Sequence, residues 1–170
     1  GATSDVDGDI TFERYVPSTA DNTWMSVGNY VVGATRADWT SSFGTDFHLV
    51  FDWDETHVEN QGTGSNGVNA WTIISNGADA LHSDGEGYYV FGSAGVSPTL
   101  TASGTYNTGQ VDYGVTFTST FMAGGGWHVL TNPFPSPIDG AQFLSDNSTL
   151  VSAYYMLDNN AGIFKTSATG

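Results

Sequence analysis

The stretch FDWDETHVEN (51–60) crowds Asp52, Asp54, Glu55, His57 and Glu59 into one short run. Paired carboxylates can act as acid and base in glycoside hydrolysis, provided they face each other at a defined separation across a cleft. Asp52, Asp54 and Glu59 are the acids such a hydrolase would use. No further motif selects them, so a solvated strand end and loop is the plainer reading. A second group, DVDGD, sets Asp5, Asp7 and Asp9 at alternate positions. Hard carboxylate oxygens at that spacing converge on calcium if the chain turns. An EF-hand loop does not fit: counting from Asp5, its glycine position holds Ile10 and its bidentate-Glu position holds Val16. Calcium is the one cofactor these residues suggest, and an acidic lead-in to the first strand is the competing reading.

Other chemistry is thinly represented. His48, His57, His82 and His128 lie far apart, with no HExxH spacing. No G-x-S-x-G elbow, Walker A loop or dinucleotide fingerprint occurs. Cysteine is absent, which removes disulfides, thiolate catalysis and Cys-based zinc sites. Lys165, the single lysine, matches an intramolecular isopeptide bond only weakly. Aromatic rings offer sugars a flat apolar platform, and Trp24, Trp39, Trp53, Trp71 and Trp127 are available. Strands favour aromatics in any case, so core packing is the better-supported use. Trp39 is the least clearly strand-borne and is expected to be exposed. Trp39 and Trp53 are the candidate ligand-binding residues.

Short strands must carry these groups. DITFERYV (9–16) alternates Ile10, Phe12, Arg14 and Val16 against Thr11, Glu13 and Tyr15. WMSVGNYVVG (24–33) reads as a second strand with a bulge at Gly28. Further strands are expected at 46–53, 70–75, 87–92, 98–106, 111–119, 126–130, 152–158 and 162–166, about ten in all by their alternation and turn signals. NQGTGSNG, SNGAD, SDGEG and NTG separate them. This predicts an all-β fold, an antiparallel β-sandwich of jelly-roll type. One short helix is expected near 139–146, where Asp139 can cap DGAQFLSD. The 170 residues suit a single domain, 1–170, with 1–8 a flexible or linking segment.

Charge narrows the partners. Arg14, Arg36 and Lys165 stand against 18 acids, for a net charge of −15. Nothing here would neutralise phosphates, so nucleic acid is not an expected partner. No run of about 18 apolar residues occurs, so no helical membrane insertion is expected. Self-repulsion favours solubility, and a salty or calcium-rich extracellular setting would screen it.

The stretch GWHVLTNPFPSPIDG (126–140) resembles the pattern G-W-x-x-(small)-N-P-(F/Y)-P-S-x-I-D of large secreted proteins of Bacteroidota. Those chains commonly carry a type IX secretion sorting domain. Trp127, Asn132, Pro133, Phe134, Pro135, Pro137 and Asp139 carry the likeness. The opening GDITFERYVPSTADNTWMSVGNYVVG, then FGTDFHLVFDWD, GEGYYVFG, TLTASGTYNTGQV and AYYMLDNNAGIFKT, resemble that family's segments in the same order. The resemblance spans nearly the whole chain. It implies an exported, all-β module at the cell surface or outside the cell, with no catalytic residues to carry over. Family members continue with further strands where this chain stops, so an unpaired edge is expected to meet other domains or copies of the same protein. The expected function is therefore a non-enzymatic structural or adhesive module, part of a surface protein or a self-assembling filament subunit. The alternative is a carbohydrate-binding module that meets surface glycans through exposed aromatics. The three prolines are expected to form a rigid corner after Asn132, since each fixes φ and removes a backbone donor.

Overall fold

A computed structural model describes residues 8–15, 23–43, 49–56, 71–92, 99–118, 126–158 and 163–168. They form two compact units, Gly1–Pro133 and Phe134–Gly170. The fold is all-β and its ladders are antiparallel. In the first unit, β1 (Ile10–Tyr15) pairs with β7 (Thr99–Tyr106), running from Ile10↔Gly104 to Tyr15↔Thr99. β3 (Val31–Val32) takes the other edge of β7. A second sheet has the order β2 (Thr23–Gly28), β6 (Gly87–Gly92), β4 (Leu49–Trp53), β5 (Trp71–Ile73).

Period-two alternation sorts the second sheet into two faces. Met25 and Val27 of β2 sit opposite Val90 and Tyr88 of β6, and all four are buried with Val50 of β4. Val31, Leu100 and Ala102 of the other sheet join the same buried cluster, with Ile10 and Phe12 packed against it. Each such side chain removed from water contributes about 1.5–3 kcal/mol. Asn29, between β2 and β3, carries the chain from one sheet to the other. It is fully buried, and its Nδ2 donates to Val31 O (2.7 Å) and Leu81 O (2.8 Å). The expected continuous strand over 24–33 therefore breaks at this residue and not at a bulge.

The helix α1 (Arg36–Phe43) corrects the expectation of a single helix. Its start is held by one half of a capping box: Thr35 donates its N–H (2.7 Å) and Oγ1–H (2.9 Å) to Asp38 Oδ2. The Arg36 and Ala37 N–H groups donate to Asp79 O and Gly77 O, both at 2.9 Å. Trp39 inserts into the core, fully buried, with its ring edge-on to Tyr88 at 5.6 Å. This overturns the expectation that Trp39 is exposed. The one-sided burial of a short helix needs a single large apolar residue, and Trp39 supplies it.

Residues 111–118 and 126–130 form no continuous strand. Side chains hold the backbone of Thr116, Thr118 and Gly126 instead, as described below, while Val129 O accepts from Gly87 N (2.9 Å) and Leu130 makes an isolated bridge to Glu86.

The second unit contains α2 (Gly140–Asp146), β8 (Ala153–Asp158) and β9 (Ile163–Ala168). Asp139 caps α2 as expected, accepting from Ala141 N (2.9 Å) and Gln142 N (3.2 Å). β8 and β9 pair from Ala153↔Ala168 to Asp158↔Ile163. The proline-rich stretch straddles the boundary, with Pro133 closing the first unit and Phe134 opening the second. No described helix is long and apolar enough to cross a membrane.

Candidate functional site

The register of β4 and β6, Leu49↔Phe91 to Phe51↔Tyr89, carries Asp52 toward Tyr88 on the core-facing side of the sheet. Glu86 lies one strand step beyond Tyr88, just before β6 begins. Asp52 and Glu86 share a hydrogen bond. Burial pushes the Glu86 carboxyl up to about 9, and the hydrogen bond and charge of Asp52 and the charge of Asp84 push the same way, while a hydrogen bond from Tyr88 opposes them. The Asp52–Glu86 pair therefore holds a proton, or another cation, more readily than two separate carboxylates do. Among the described residues Asp52 Oδ1 is buried without a hydrogen-bond partner.

The surroundings extend this acidic end of the sheet. Tyr88 Oη accepts from the His82 N–H at 2.6 Å, and burial with the nearby acids raises its pKa. Burial and then Glu86, Asp52, Asp84 and Asp54 push the Tyr113 phenol up to about 12. His82 Nε2 lies 3.8 Å from Glu86 Oε2. A hydrogen-bonded carboxyl pair stands closer than the about 5 Å that two glycosidase carboxyl groups keep. Asp52 is thus brought to a partner, but not at the spacing of glycoside hydrolysis. Asp54 instead turns back to accept from Thr56 N (2.8 Å) and Oγ1 (2.7 Å). Glu59 and His57 lie outside the described residues.

Glu55, next along, is buried and serves the scaffold. Its carboxylate accepts from Thr116 Oγ1 (2.7 Å), Thr118 N (2.6 Å), Thr118 Oγ1 (2.9 Å) and Gly126 N (3.0 Å). Burial alone would raise its pKa, but these four donors together lower it below the ordinary value. His128 Nε2 accepts from Thr116 N at 3.0 Å. A carboxylate and an imidazole thus hold the backbone of 116–118 and 126 where a strand ladder would otherwise be needed.

The opposite face of the β2–β6–β4–β5 sheet is aromatic. Trp24 sits opposite Phe91, Phe51 opposite Tyr89, and Trp53 opposite Trp71. Ring centroids follow one another at 4.9 Å for Trp24–Phe91, 5.3 Å for Trp24–Phe51, 4.7 Å for Trp71–Tyr89 and 4.9 Å for Trp53–Trp71. Their planes are canted by 43–70°. Trp24 is 40% exposed and Ile73 44%. Trp53 is half-buried and donates from Nε1 to Trp127 O at 2.6 Å, so this ligand candidate also anchors the 126–131 segment. Trp127 itself is exposed.

The remaining expected residues scatter. Asp9 is exposed, while Asp5 and Asp7 lie outside the described residues. Pro133 O accepts from Asn107 Nδ2 at 3.1 Å. Pro135, Pro137 and Asp139 are exposed, and Asn132 and Phe134 are half-buried.

The sequence reading missed Glu86, Asp84 and Tyr88. SDGEGYY was read for its turn, yet it also alternates acid and tyrosine into a strand, which sends Glu86 and Tyr88 to one face. Compared with family models, curated proteins and solved structures, the chain matches none.

Proposed function

We propose that this chain is a non-enzymatic extracellular structural or adhesive module that assembles by strand addition, with other domains or further copies as its partners. The observation that carries the reading is the two-stranded ladder of the second unit. β8 and β9 pair over six positions, and no described strand adds to the outer edge of either. A two-stranded ladder is marginal by itself and is stabilised by a third strand or an apolar cover. Its neighbourhood keeps apolar side chains in solvent, with Tyr155 47%, Met156 54%, Leu150 71% and Ile138 47% exposed. Open edges flanked by exposed apolar groups are the chemistry of β-augmentation, in which backbone hydrogen bonds give affinity and alternate side chains give register. The sequence resemblance to exported surface modules of Bacteroidota supports the same reading.

The test is light scattering and negative-stain imaging of the full chain and of a deletion of 160–170, which removes β9. Concentration-dependent multimers in the full chain and monomers in the deletion are expected, with the first unit's circular dichroism retained. A full chain that stays monomeric at every concentration, or a deletion that assembles equally well, overturns the proposal.

One observation favours a second reading, carbohydrate binding: the row of rings from Phe91 to Trp53. Sugars stack best on flat platforms, whereas these rings are canted edge-to-face as in a packed core. Specific glycan-array binding that Trp24→Ala abolishes would favour this reading over assembly.

A further inference from the structure

The lead-in to β6 places three metal-ligating side chains together. His82, Asp84 and Glu86 alternate along residues 82–86, and one ligand atom from each lies within 4.8 Å of the others. Zinc-type ions hold nitrogen and oxygen ligands at about 2.0–2.2 Å in a tetrahedral shell, so two donors on one ion stand about 3.3–3.6 Å apart. Small side-chain rotations close the difference, and they are available because His82 and Asp84 are exposed.

A second observation comes from a different strand. Asp52 of β4 meets Glu86 through a hydrogen bond, yet its Oδ1 is buried with no hydrogen-bond partner among the described residues. A buried carboxylate oxygen without a donor is costly, and the usual compensations are a donor, a water or a cation. Tyr88 braces the group from behind: its hydroxyl accepts the His82 N–H at 2.6 Å and bonds Glu86. The first contact fixes the His82 backbone and the second holds the Glu86 carboxyl, one of the three ligands.

We propose that His82, Asp84 and Glu86, backed by Asp52, bind one divalent cation of the zinc type and so tie the 82–86 segment to β4. Imidazole among the donors selects a first-row ion such as Zn²⁺ over calcium, whose sites are built from oxygen alone. The site draws on none of the residues of DVDGD or of the β8–β9 ladder.

The experiment titrates Zn²⁺, and separately Ca²⁺, into the untagged full chain by calorimetry, with thermal melts alongside. Co²⁺ replaces Zn²⁺ for a visible spectrum. One Zn²⁺ per chain, a raised melting temperature and a ligand-field band for Co²⁺ are expected. His82→Ala and Asp84→Asn each weaken Zn²⁺ binding by about tenfold or more, and His82→Ala shifts the Co²⁺ band. Both positions are exposed, so the variants keep the core, which circular dichroism checks. Asp112→Asn, an exposed acid elsewhere, leaves binding unchanged. The proposal is overturned by absence of saturable Zn²⁺ binding, by equal affinity in His82→Ala, or by Ca²⁺ binding as tightly as Zn²⁺.

Discussion

The Glu55 carboxylate accepts the backbone N–H of Thr118 at 2.6 Å across 63 residues of chain. With Gly126 N on the same oxygen and two threonine hydroxyls on the other, it clamps a segment that has no ladder of its own. Glu55→Ala leaves two backbone donors unpaired and is expected to cost about 3 kcal/mol. Glu55→Gln is milder, because its amide oxygen can keep the two N–H groups while the hydroxyls rotate to accept. Urea midpoints of the three proteins at neutral pH measure the order.

The same carboxylate sets an acid limb. Its folded pKa lies below the ordinary 4.5, so its contribution is complete above that value and is lost as pH falls through the lower, folded one. Wild-type stability is expected to fall more steeply below about pH 4.5 than that of Glu55→Gln. Parallel curves for the two proteins would contradict the assignment.

Trp39 fills the core between α1 and the sheets, and no described group accepts from its Nε1. Trp39→Ala opens a cavity and is expected to cost about 3–5 kcal/mol. Trp39→Phe loses volume but also removes a buried unpaired donor, so its cost stays below about 1.5 kcal/mol. Denaturant unfolding gives both values, and Trp39→Phe also removes the most blue-shifted tryptophan emission.

Gly28 and Gly87 face each other across β2 and β6, and the 129–131 segment lies over both. A Cβ on Gly28 meets the Thr131 side chain, while one on Gly87 meets Val129 Cγ1 at 2.9 Å and the backbone Val129 O at 3.1 Å. Both alanine variants are expected to lower the melting temperature. Thr131→Gly should restore part of the loss in Gly28→Ala, because every atom in the way, the Thr131 Cβ included, belongs to that side chain, whereas trimming Val129 should restore little in Gly87→Ala, because backbone remains in the way. Equal rescue at both sites would show that the segment moves freely.

Asp139 satisfies two of the donors that open α2. Asp139→Ala is expected to cost about 1 kcal/mol, read as faster hydrogen exchange at Ala141 and Gln142 than elsewhere in the chain.

Strand-level structure was legible wherever alternation was strong: β1, β6, β7, β8 and β9 fall within a residue or two of their expected bounds. α1 was hidden because ADWTSSF has no apolar period, yet the capping pair Thr35 and Asp38 was readable at three-residue spacing. DYGVTFTS and GWHVL alternate like strands, but Thr116, Thr118 and Gly126 find their backbone partners in the side chains of Glu55 and His128, which no local pattern reveals, while Val129 and Leu130 meet the backbone at Gly87 and Glu86. The Asp52–Glu86 contact was equally invisible, since it exists only once β4 and β6 take their register. Asp139 was legible because a cap acts on its own neighbours.

The pairing of β1 with β7 also fixes an order of events. Thr11 and Ser103, whose hydroxyls meet at 3.0 Å, are separated by 92 residues. On a ribosome the first strand emerges long before its only described ladder partner exists, and closing so large a loop is slow. Until β7 arrives, Ile10 and Phe12 lack the core they pack against. The nascent chain therefore carries an amphipathic strand without its described partner while the residues between Tyr15 and Thr99 are made, a state that invites chaperone capture or mispairing with neighbouring chains.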